Sequence, residues 1–341
     1  MAQIIPKKLM TVESNWQKEL RQCITDPQKL LEFMQLSGPE YQQHVKARRL
    51  FPMRVPFPFA QKMQKGNPLD PLFLQVFPLH DEFLDSAGFV DDPLAEQQNS
   101  QQGILHKYLS RALLMVRGGC AVNCRYCFRR HFPYEQNNLN RKGWLQALAY
   151  IESDPQIDEV IYSGGDPLMA KDDFLAWLTN QVEQIHHIKR VRIHTRLPVV
   201  IPQRIDSQFM HWIKSTKLQV VIVLHINHAN EIDQLLEDKL KLLRCAGVTL
   251  LNQSVLLKDV NDSAQALVKL SNRLFDAGVL PYYLHLLDKV RGAAHFDVDE
   301  NRARIIMAEL IKRLPGFLVP KLVREIAGQP GKTPLDLHLL P

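Results

Sequence analysis

The fold and the chemistry of this chain are decided by one stretch, Ala112-Leu113-Leu114-Met115-Val116-Arg117-Gly118-Gly119-Cys120-Ala121-Val122-Asn123-Cys124-Arg125-Tyr126-Cys127. Its first five residues are apolar and too few for a helix, which is typical of a buried β-strand. The segment after them is polar, carries glycine, and holds three cysteines in the spacing C-x3-C-x2-C. Reactive side chains directly after a buried strand predict a functional site at the C-terminal end of that strand.

The same rhythm continues downstream of this stretch. Short apolar runs occur at 112–116, 159–162, 191–195, 220–225, 250–256 and 282–287, and helix-like segments at 144–152, 173–185, 232–246 and 264–277. Alternation of buried strands with amphipathic helices predicts an α/β fold with a parallel sheet. About six βα units could form an incomplete TIM-like (β/α)6 barrel or a doubly wound sheet.

Most of the predicted strands run directly into polar or glycine-bearing residues. The segments concerned are Gly118-Gly119-Cys120, Ser163-Gly164-Gly165-Asp166, His194-Thr195-Arg196, His225-Ile226-Asn227-His228, Asn252-Gln253-Ser254, and His285 with Asp288. A purely structural sheet does not need polar residues at so many equivalent ends. Because the carboxyl ends of parallel strands lie on one side of a sheet, the sequence predicts one large polar pocket there.

Composition excludes several protein classes. The chain has 341 residues, 45% hydrophobic and 23% charged, so disordered, collagen-like and low-complexity classes do not apply. Its net charge of +6 is spread along the chain and suits anionic small ligands at least as well as nucleic acid. No apolar run approaches the roughly 18 residues of a membrane span, and the first residues lack a signal core. We therefore expect a cytoplasmic protein that binds neither membrane nor nucleic acid.

The sequence also predicts three regions. Residues 1–105 form an N-terminal extension that is helical over 13–50 and proline-rich over 51–80, and that wraps the core. Residues 106–315 form the partial barrel, and 316–341 form a C-terminal segment. Within the extension, 91–103 has the composition of a linker, with two aspartates and four glutamines.

The three cysteines indicate metal chemistry. Five cysteines in a chain of this length are not a disulfide framework, and three of them fall within eight residues. Three thiolates on one loop can bind a cubic iron–sulfur cluster and leave one iron open for another ligand. A zinc site remains an alternative, since His131 could complete a set of four ligands.

The segment 119–127 resembles the cluster motif of the radical S-adenosylmethionine (SAM) enzymes, including the aromatic Tyr126 before the last cysteine. The resemblance implies that Cys120, Cys124 and Cys127 bind a 4Fe-4S cluster and that its open iron binds SAM. Ser163-Gly164-Gly165-Asp166-Pro167 resembles the glycine-rich stretch that contacts SAM in these enzymes. The resemblance also implies their partial (β/α)6 barrel.

A second resemblance lies near the end of the chain. Ala327-Gly328-Gln329-Pro330-Gly331-Lys332-Thr333-Pro334 is similar to the pyridoxal phosphate attachment loop of the lysine 2,3-aminomutases, although Gln329 and Pro330 interrupt their glycine run. Lys332 falls at the lysine that binds the cofactor covalently there, which implies a pyridoxal 5′-phosphate enzyme with Lys332 as its catalytic lysine. The resemblance extends from about residue 106 to 334.

The aminomutase resemblance implies roles for further residues. Arg129 matches the arginine that grips the substrate carboxylate, and Asp288 matches an acid that receives the distal ammonium of lysine. Glu325 falls where the aminomutases have a second aspartate, so its extra methylene changes the reach to that ammonium. Arg111 and Tyr108 occupy positions that resemble contacts to the cofactor phosphate.

The stretch Cys127-Phe128-Arg129-Arg130-His131-Phe132-Pro133-Tyr134 and the short segment after the lysine resemble in particular the branch that serves (R)-β-lysylation of elongation factor P. This implies conversion of L-lysine to β-lysine, a reductant such as flavodoxin or ferredoxin, and a functional link to elongation factor P and its ligase.

Two alternatives to lysine 2,3-aminomutation remain at this point. One is an aminomutase of the same family that acts on another amino acid such as arginine. The other is a zinc-containing RNA-binding protein that uses residues 125–134 as its contact surface, since arginines interleaved with aromatics can stack on bases.

Overall fold

In the computed structural model, which describes residues 15–97 and 102–338, nine strands form one sheet in sequence order. They are β1 (Ile104–Tyr108), β2 (Arg111–Arg117), β3 (Glu159–Gly164), β4 (Arg190–Thr195), β5 (Gln219–Leu224), β6 (Thr249–Val255), β7 (Leu280–His285), β8 (Lys321–Arg324) and β9 (Thr333–Pro334). Every strand pairs with the next one along the chain. This unreversed order excludes the doubly wound sheet, in which the order reverses at a switch point.

The seven strands β2 to β8 are parallel to one another, and the two edge strands, β1 and β9, run in the opposite direction. β1 pairs antiparallel with β2, and β9 pairs antiparallel with β8. Seven parallel strands in unbroken sequence order, with antiparallel strands only at the two edges, match an incomplete barrel. The predicted α/β partial barrel is confirmed.

Twelve helices accompany the sheet. They are α1 (Asn15–Arg21), α2 (Pro27–Met34), α3 (Tyr41–Val45), α4 (Phe57–Ala60), α5 (Pro71–Leu74), α6 (Arg141–Ser153), α7 (Asp172–Glu183), α8 (Leu197–Val200), α9 (Ser207–Ser215), α10 (Gln234–Cys245), α11 (Ala264–Asp276) and α12 (Glu300–Arg313), all within the residues described above. Six of them begin at a side-chain cap that accepts a hydrogen bond from the backbone N–H three residues later, namely Asp70, Asn140, Asp206, Asp233, Ser263 and Asp299. Over these same residues, no helix combines the length and the apolar character that crossing a membrane requires.

The six predicted strands correspond to β2–β7, with ends that agree within two residues. The four predicted helices correspond to α6, α7, α10 and α11. The apolar pattern did not single out β1, β8, β9, α9 or α12. β8 adds a seventh parallel strand to the six that the sequence predicts.

The N-terminal part packs against the barrel through short elements. Three of its helices carry proline in their first turn, where a missing N–H costs nothing. Trp16 is buried, and the Arg204 guanidinium lies 4.7 Å from its ring centroid. The ammonium of Lys62 donates to the carbonyl oxygens of Val199 and Glu231, at 3.2 and 2.8 Å. These contacts agree with an extension that lies over the core, while the domain limits at 105/106 and 315/316 stay predictions. Residues 1–14, 98–101 and 339–341 lie outside the described chain.

Candidate active site

One cavity extends along the parallel strands, from their carboxyl ends down to Arg111, the first residue of β2. The structure brings together on its walls all the residues that the sequence singled out for the site, namely Tyr108, Arg111, Cys120, Cys124, Cys127, Arg129, Ser163, Gly164, Gly165, Asp166, Asp288, Glu325 and Lys332. These residues come from β1, β2 and β3, from the loops after β2, β3 and β7, and from the segment after β8. Side chains more than 200 residues apart in sequence therefore share one chamber.

The loop that carries the cysteines follows β2 and is held by the N-terminal extension. Asn123 donates its backbone N–H to the carbonyl of Arg54 at 3.0 Å, and Arg54 donates to the carbonyl of Cys120 at 3.2 Å. The backbone N–H of Arg125 donates to the carbonyl of Gln75 at 2.9 Å. Hydrogen bonds from a second chain segment thus fix the backbone of a loop that has no regular structure of its own.

The three cysteines fit a cluster better than a single metal ion. Burial and the neighbouring thiol of Cys127 raise the pKa of Cys120 well above its usual range, and burial and Cys124 raise the pKa of Cys127 to about 11. Three thiolates in such a place need a positive centre to neutralise them. Across residues 15–97 and 102–338, no three His, Cys, Asp or Glu side chains are placed to ligate one ion. In a cubic cluster each cysteine binds a different iron, so the ligands stand farther apart than around zinc.

The arginines beside the cysteines are buried rather than exposed. Arg125 donates to both carboxylate oxygens of Glu82, at 2.8 and 2.5 Å, and Arg130 donates to the same carboxylate at 2.7 Å. The side chains of Arg125 and Glu82 are fully buried, and that of Arg130 is 1% exposed. The hypothesis of an RNA contact surface over residues 125–134 is wrong, because these guanidinium groups face the protein interior.

The glycines after β3 allow the two loops to touch. Gly164 has a φ of +131°, and a Cβ there would lie 2.1 Å from the carbonyl oxygen of Arg117. A Cβ on Gly165 would lie 2.7 Å from the carbonyl oxygens of Gly118 and Gly119. Any side chain at these positions would push the glycine-rich loop away from the cysteine loop.

Asp166 uses its carboxylate to hold the loops in place. It accepts hydrogen bonds from the hydroxyl of Thr195 at 2.8 and 2.9 Å and from the backbone N–H groups of Leu168, Arg196 and Leu197 at 2.8 to 3.0 Å. Burial raises the pKa of Asp166 despite these donors. The carboxylate therefore joins the end of β3 to the end of β4, which is a structural contribution to the predicted cofactor-binding stretch.

A network around Arg196 was not predicted as part of the site, although the sequence marked this strand end as polar. Arg196 donates to the sulfur of Cys124 at 2.7 Å, to the side-chain oxygen of Gln75 at 2.7 Å, to Glu231 at 3.0 Å and to the hydroxyl of Tyr126. These partners come from the N-terminal extension, the cysteine loop and the segment after β5. The guanidinium is thus fixed against one of the cluster cysteines.

Five charged side chains of alternating sign cross the cavity. Arg129 makes a two-pronged contact with Glu96, at 2.6 and 3.1 Å, and Glu96 also accepts from Lys107 at 2.8 Å. Lys107 lies 3.6 Å from Glu325, whose other oxygen accepts from Lys332 at 2.7 Å. We call this row the charge chain. It includes three predicted site residues and adds Glu96 and Lys107, which the sequence did not single out.

Glu96 also corrects the reading of 91–103 as a linker. Its side chain is 5% exposed, because the carboxylate is enclosed by two cations, and its backbone N–H donates to Asp92 at 3.0 Å. Gln98 and Gln101, which contributed to the linker-like composition, lie outside the described residues. The part of the segment that is described contributes to the cavity wall instead of spanning between units.

The charge chain sets the ionisation of the acidic groups. Burial on its own would raise the pKa of Glu325, but the ammonium of Lys332, with further help from Lys107 and Arg129, lowers it to about 2. Asp288 is not part of the charge chain. Burial together with the carboxylate of Glu325 raises the pKa of Asp288 to about 7. Of these two carboxylates, Glu325 is thus firmly ionised and Asp288 titrates near neutral pH.

The remaining walls are aromatic and histidine side chains. Tyr108 donates its hydroxyl to Glu325 at 3.2 Å, and the Arg111 guanidinium lies 3.9 Å from the Tyr108 ring centroid. Burial lowers the pKa of His194, His225 and His285, with His225 at about 3, so these rings are neutral. A neutral imidazole can donate or accept a hydrogen bond but adds no charge to the cavity.

Comparison with known proteins identifies the family. Residues 115–270 match the model of the Radical SAM superfamily. The chain is 56% identical over 326 residues to an L-lysine 2,3-aminomutase of Escherichia coli, with 95% of both proteins covered. It is 55% identical over 332 residues to an L-lysine 2,3-aminomutase of Haemophilus influenzae, covering 97% of this chain and 98% of that protein. With one from Clostridium subterminale the identity is 32% over 324 residues, covering 94% of this chain and 78% of that protein.

The resemblance inferred from the cysteine motif is therefore confirmed, and the RNA-binding alternative gains no support. The superfamily implies a 4Fe-4S cluster and SAM, and the cysteine loop beside the glycine-rich loop fits both. Relatives that align over almost their whole length imply the reaction class as well. The chain is thus an isomerase and belongs to the radical SAM family of L-lysine 2,3-aminomutases.

Proposed function

We propose that this protein uses pyridoxal phosphate bound to Lys332 to convert L-lysine to (R)-β-lysine for the modification of elongation factor P. The observation that carries the proposal is the position of Lys332, which pairs with Glu325 at 2.7 Å in the same cavity as the three cysteines. A substrate bound in this cavity can therefore contact Lys332 and also approach the three cysteines. The resemblance of residues 127–134 to the elongation factor P branch supports the destination of the product and its handedness.

The substrate carboxylate and distal ammonium have complementary partners at separate places in the cavity. Arg129 has its Nε and Nη2 on Glu96, while Nη1 donates to two neutral oxygens, the Ser163 hydroxyl at 3.2 Å and the Gly164 carbonyl at 3.3 Å, so this is the edge at which a ligand carboxylate can replace a neutral acceptor. Asp288 and Glu325 offer carboxylates to the ammonium. Because Glu96 fixes the other edge of the fork, Arg129 orients the amino acid through one defined N–H direction.

The cofactor chemistry divides between two groups. SAM on the cluster supplies the one-electron chemistry that removes an unactivated hydrogen, and pyridoxal phosphate supplies the unsaturated carbon–nitrogen function through which nitrogen moves to the adjacent carbon. Arg111 and Tyr108 are candidates for holding the phosphate. Glu325 pairs with Lys332 at 2.7 Å and lies 3.6 Å from Lys107, so the distal ammonium of lysine would share its carboxylate with these two cations.

The test uses anaerobic protein with reconstituted iron and sulfide, SAM, pyridoxal phosphate and dithionite. L-Lysine and L-arginine are incubated separately, and the products are resolved by chiral chromatography. We expect (R)-β-lysine from lysine only when all components are present, and no product from arginine. Product from arginine alone, or the S enantiomer, would contradict the proposal.

The role of Lys332 is tested apart from turnover. Borohydride reduction followed by peptide mass spectrometry should show the cofactor on Lys332 in the wild-type protein and on no residue in Lys332→Ala, while the iron content stays the same. Cofactor label on another lysine would refute the assignment.

The partners are tested separately. Flavodoxin or ferredoxin with its reductase should replace dithionite. Elongation factor P with its ligase should gain the mass of one β-lysine only when product is supplied. A failure of this last reaction would refute the link to elongation factor P while leaving the aminomutase assignment intact.

A further inference from the structure

We propose that Arg196 is a positioning residue for electron transfer, which sets the reduction potential of the cluster through its hydrogen bond to the sulfur of Cys124. The inference rests on the cluster that the family implies and requires neither pyridoxal phosphate nor lysine turnover. It goes beyond the proposed function, because it concerns how easily the cluster accepts the electron that starts the reaction.

The contact is direct and the guanidinium has no freedom to leave it. Nη1 of Arg196 lies 2.7 Å from the Cys124 sulfur and also contacts the hydroxyl of Tyr126. Nη2 donates to Gln75 at 2.7 Å and to Glu231 at 3.0 Å. Arg196 is 6% exposed, so water does not compete for these bonds.

The anion that holds Arg196 is itself fixed. Glu231 is fully buried, and its other oxygen accepts from the backbone N–H groups of Asn227 and His228 at 2.9 and 3.0 Å and from the amide of Gln75 at 3.2 Å. A carboxylate with this many donors keeps one orientation. The network therefore orients the guanidinium toward sulfur as well as neutralising part of its charge.

Cys124 differs from the other two cysteines in this respect. In the part of the chain that the structure describes, a side-chain cation donates to the sulfur of Cys124, whereas Cys127 receives a backbone N–H from Arg129. A guanidinium carries a full charge and a backbone amide only a partial one. Arg196 would therefore act on the cluster through the ligand sulfur of Cys124.

The physical consequence has a definite sign. Reduction adds one negative charge to the cluster, and a fixed cation beside a ligand sulfur stabilises the reduced form more than the oxidised form. Arg196 therefore raises the reduction potential. Removing it makes the reduction less favourable, even when the cluster is fully assembled and SAM is absent.

The experiment measures the midpoint potential of the reconstituted cluster without SAM, by redox titration followed by electron paramagnetic resonance. The variants are Arg196→Gln, which keeps a donor but loses the charge, and Arg196→Lys, which keeps the charge but loses the fork. The control is Arg204→Lys, since Arg204 is also a fully buried arginine but pairs with Asp172 and does not line the cavity.

We expect reduction of Arg196→Gln to become at least tenfold less favourable, which is about 59 mV for one electron, with an intermediate change in Arg196→Lys. Arg204→Lys should keep the wild-type potential despite a lower melting temperature.

A wild-type potential in Arg196→Gln with full iron content would overturn the inference. So would a failure of both Arg196 variants to hold a cluster, because Arg196 would then serve assembly instead. If the protein carries its cluster but makes no β-lysine, the proposed function fails and this measurement still decides the role of Arg196.

Discussion

Asp288 should make substrate binding depend on pH near neutrality. Burial and the neighbouring Glu325 carboxylate raise its pKa to about 7, whereas the pKa of Glu325 lies at about 2. A raised pKa means that Asp288 is protonated below pH 7 and ionised above it. Only the ionised form attracts an ammonium, so we expect affinity for L-lysine to fall as the pH is lowered through 7. Replacing Asp288 by Asn should remove this dependence, because the amide does not titrate.

The structure gives the expected size of two effects on KM, that of pH and that of the Asp288→Asn substitution. With a pKa near 7, roughly 90% of Asp288 is ionised at pH 8 and about 10% at pH 6, so KM for lysine should rise about tenfold as the pH falls from 8 to 6. Removing one partner of an enclosed charge pair costs about 2–5 kcal/mol. Glu325 remains to share the ammonium, which favours the lower end. About 2 kcal/mol corresponds to a KM roughly thirtyfold higher in Asp288→Asn at pH 8.

The assay is KM for L-lysine at pH 6, 7 and 8, with β-lysine measured by chromatography. L-Norleucine, which has the same carbon chain without the distal ammonium, serves as a competitive probe whose binding should not respond to Asp288. Asp297→Asn is the matched variant, because burial also raises the pKa of Asp297 but it lies outside the cavity. If Asp288→Asn keeps the wild-type pH profile, or weakens norleucine equally, Asp288 does not bind the ammonium.

Two further changes test the support of the cysteine loop. Gly165→Ala should lower the iron content after reconstitution, because its Cβ would lie 2.7 Å from two carbonyl oxygens of the cysteine loop. The control is Gly316→Ala, whose Cβ has open space around it, and which should retain full iron. Equal iron content in both variants would contradict the tight contact. Glu82→Gln should lower the free energy of unfolding by about 3–5 kcal/mol in denaturant titrations, because it leaves Arg125 buried without its anion. Glu309→Gln removes an exposed ion-paired carboxylate on α12 and should leave the midpoint unchanged. A Glu82→Gln midpoint equal to that of Glu309→Gln would refute the argument.

The central strands were predictable because burial on both faces demands continuous apolar runs. β3 is buried over all six of its residues, and the sequence shows this directly as a short run between polar segments. β8 has only four residues, begins with Lys321 and ends with Arg324. Its apolar run is therefore too short to distinguish a strand from a chance pair of apolar residues in the sequence. β9 has two residues, and its pairing with β8 depends on a contact that only the folded chain creates. Edge elements of this kind carry no local signal.

The site was predictable in its reactive residues and not in their partners. The cysteine spacing and Lys332 are visible in the sequence, since ligand sets and attachment loops are local patterns. Glu96 and Glu82 are not visible, because a single carboxylate in a polar stretch does not show which cation it will meet. Arg129 lies 33 residues from Glu96, and Arg125 lies 43 residues from Glu82. Both glutamates precede β1 in the chain, and folding brings them to guanidinium groups of the cysteine loop.

The charge chain explains how so many enclosed charges coexist in a cavity that has to accept charged ligands. Two of the ionic groups assigned to a ligand already have an internal partner, Glu96 for Arg129 and Lys332 for Glu325. An isolated charge in such a place would cost several kcal/mol, whereas an alternating row lowers the energy of every member. A ligand carboxylate would replace a neutral acceptor on Nη1 of Arg129 while Glu96 keeps the other edge. A ligand ammonium would share Glu325 with Lys107 and Lys332. Lys107, between the two glutamates at 2.8 and 3.6 Å, keeps both ionised throughout this exchange.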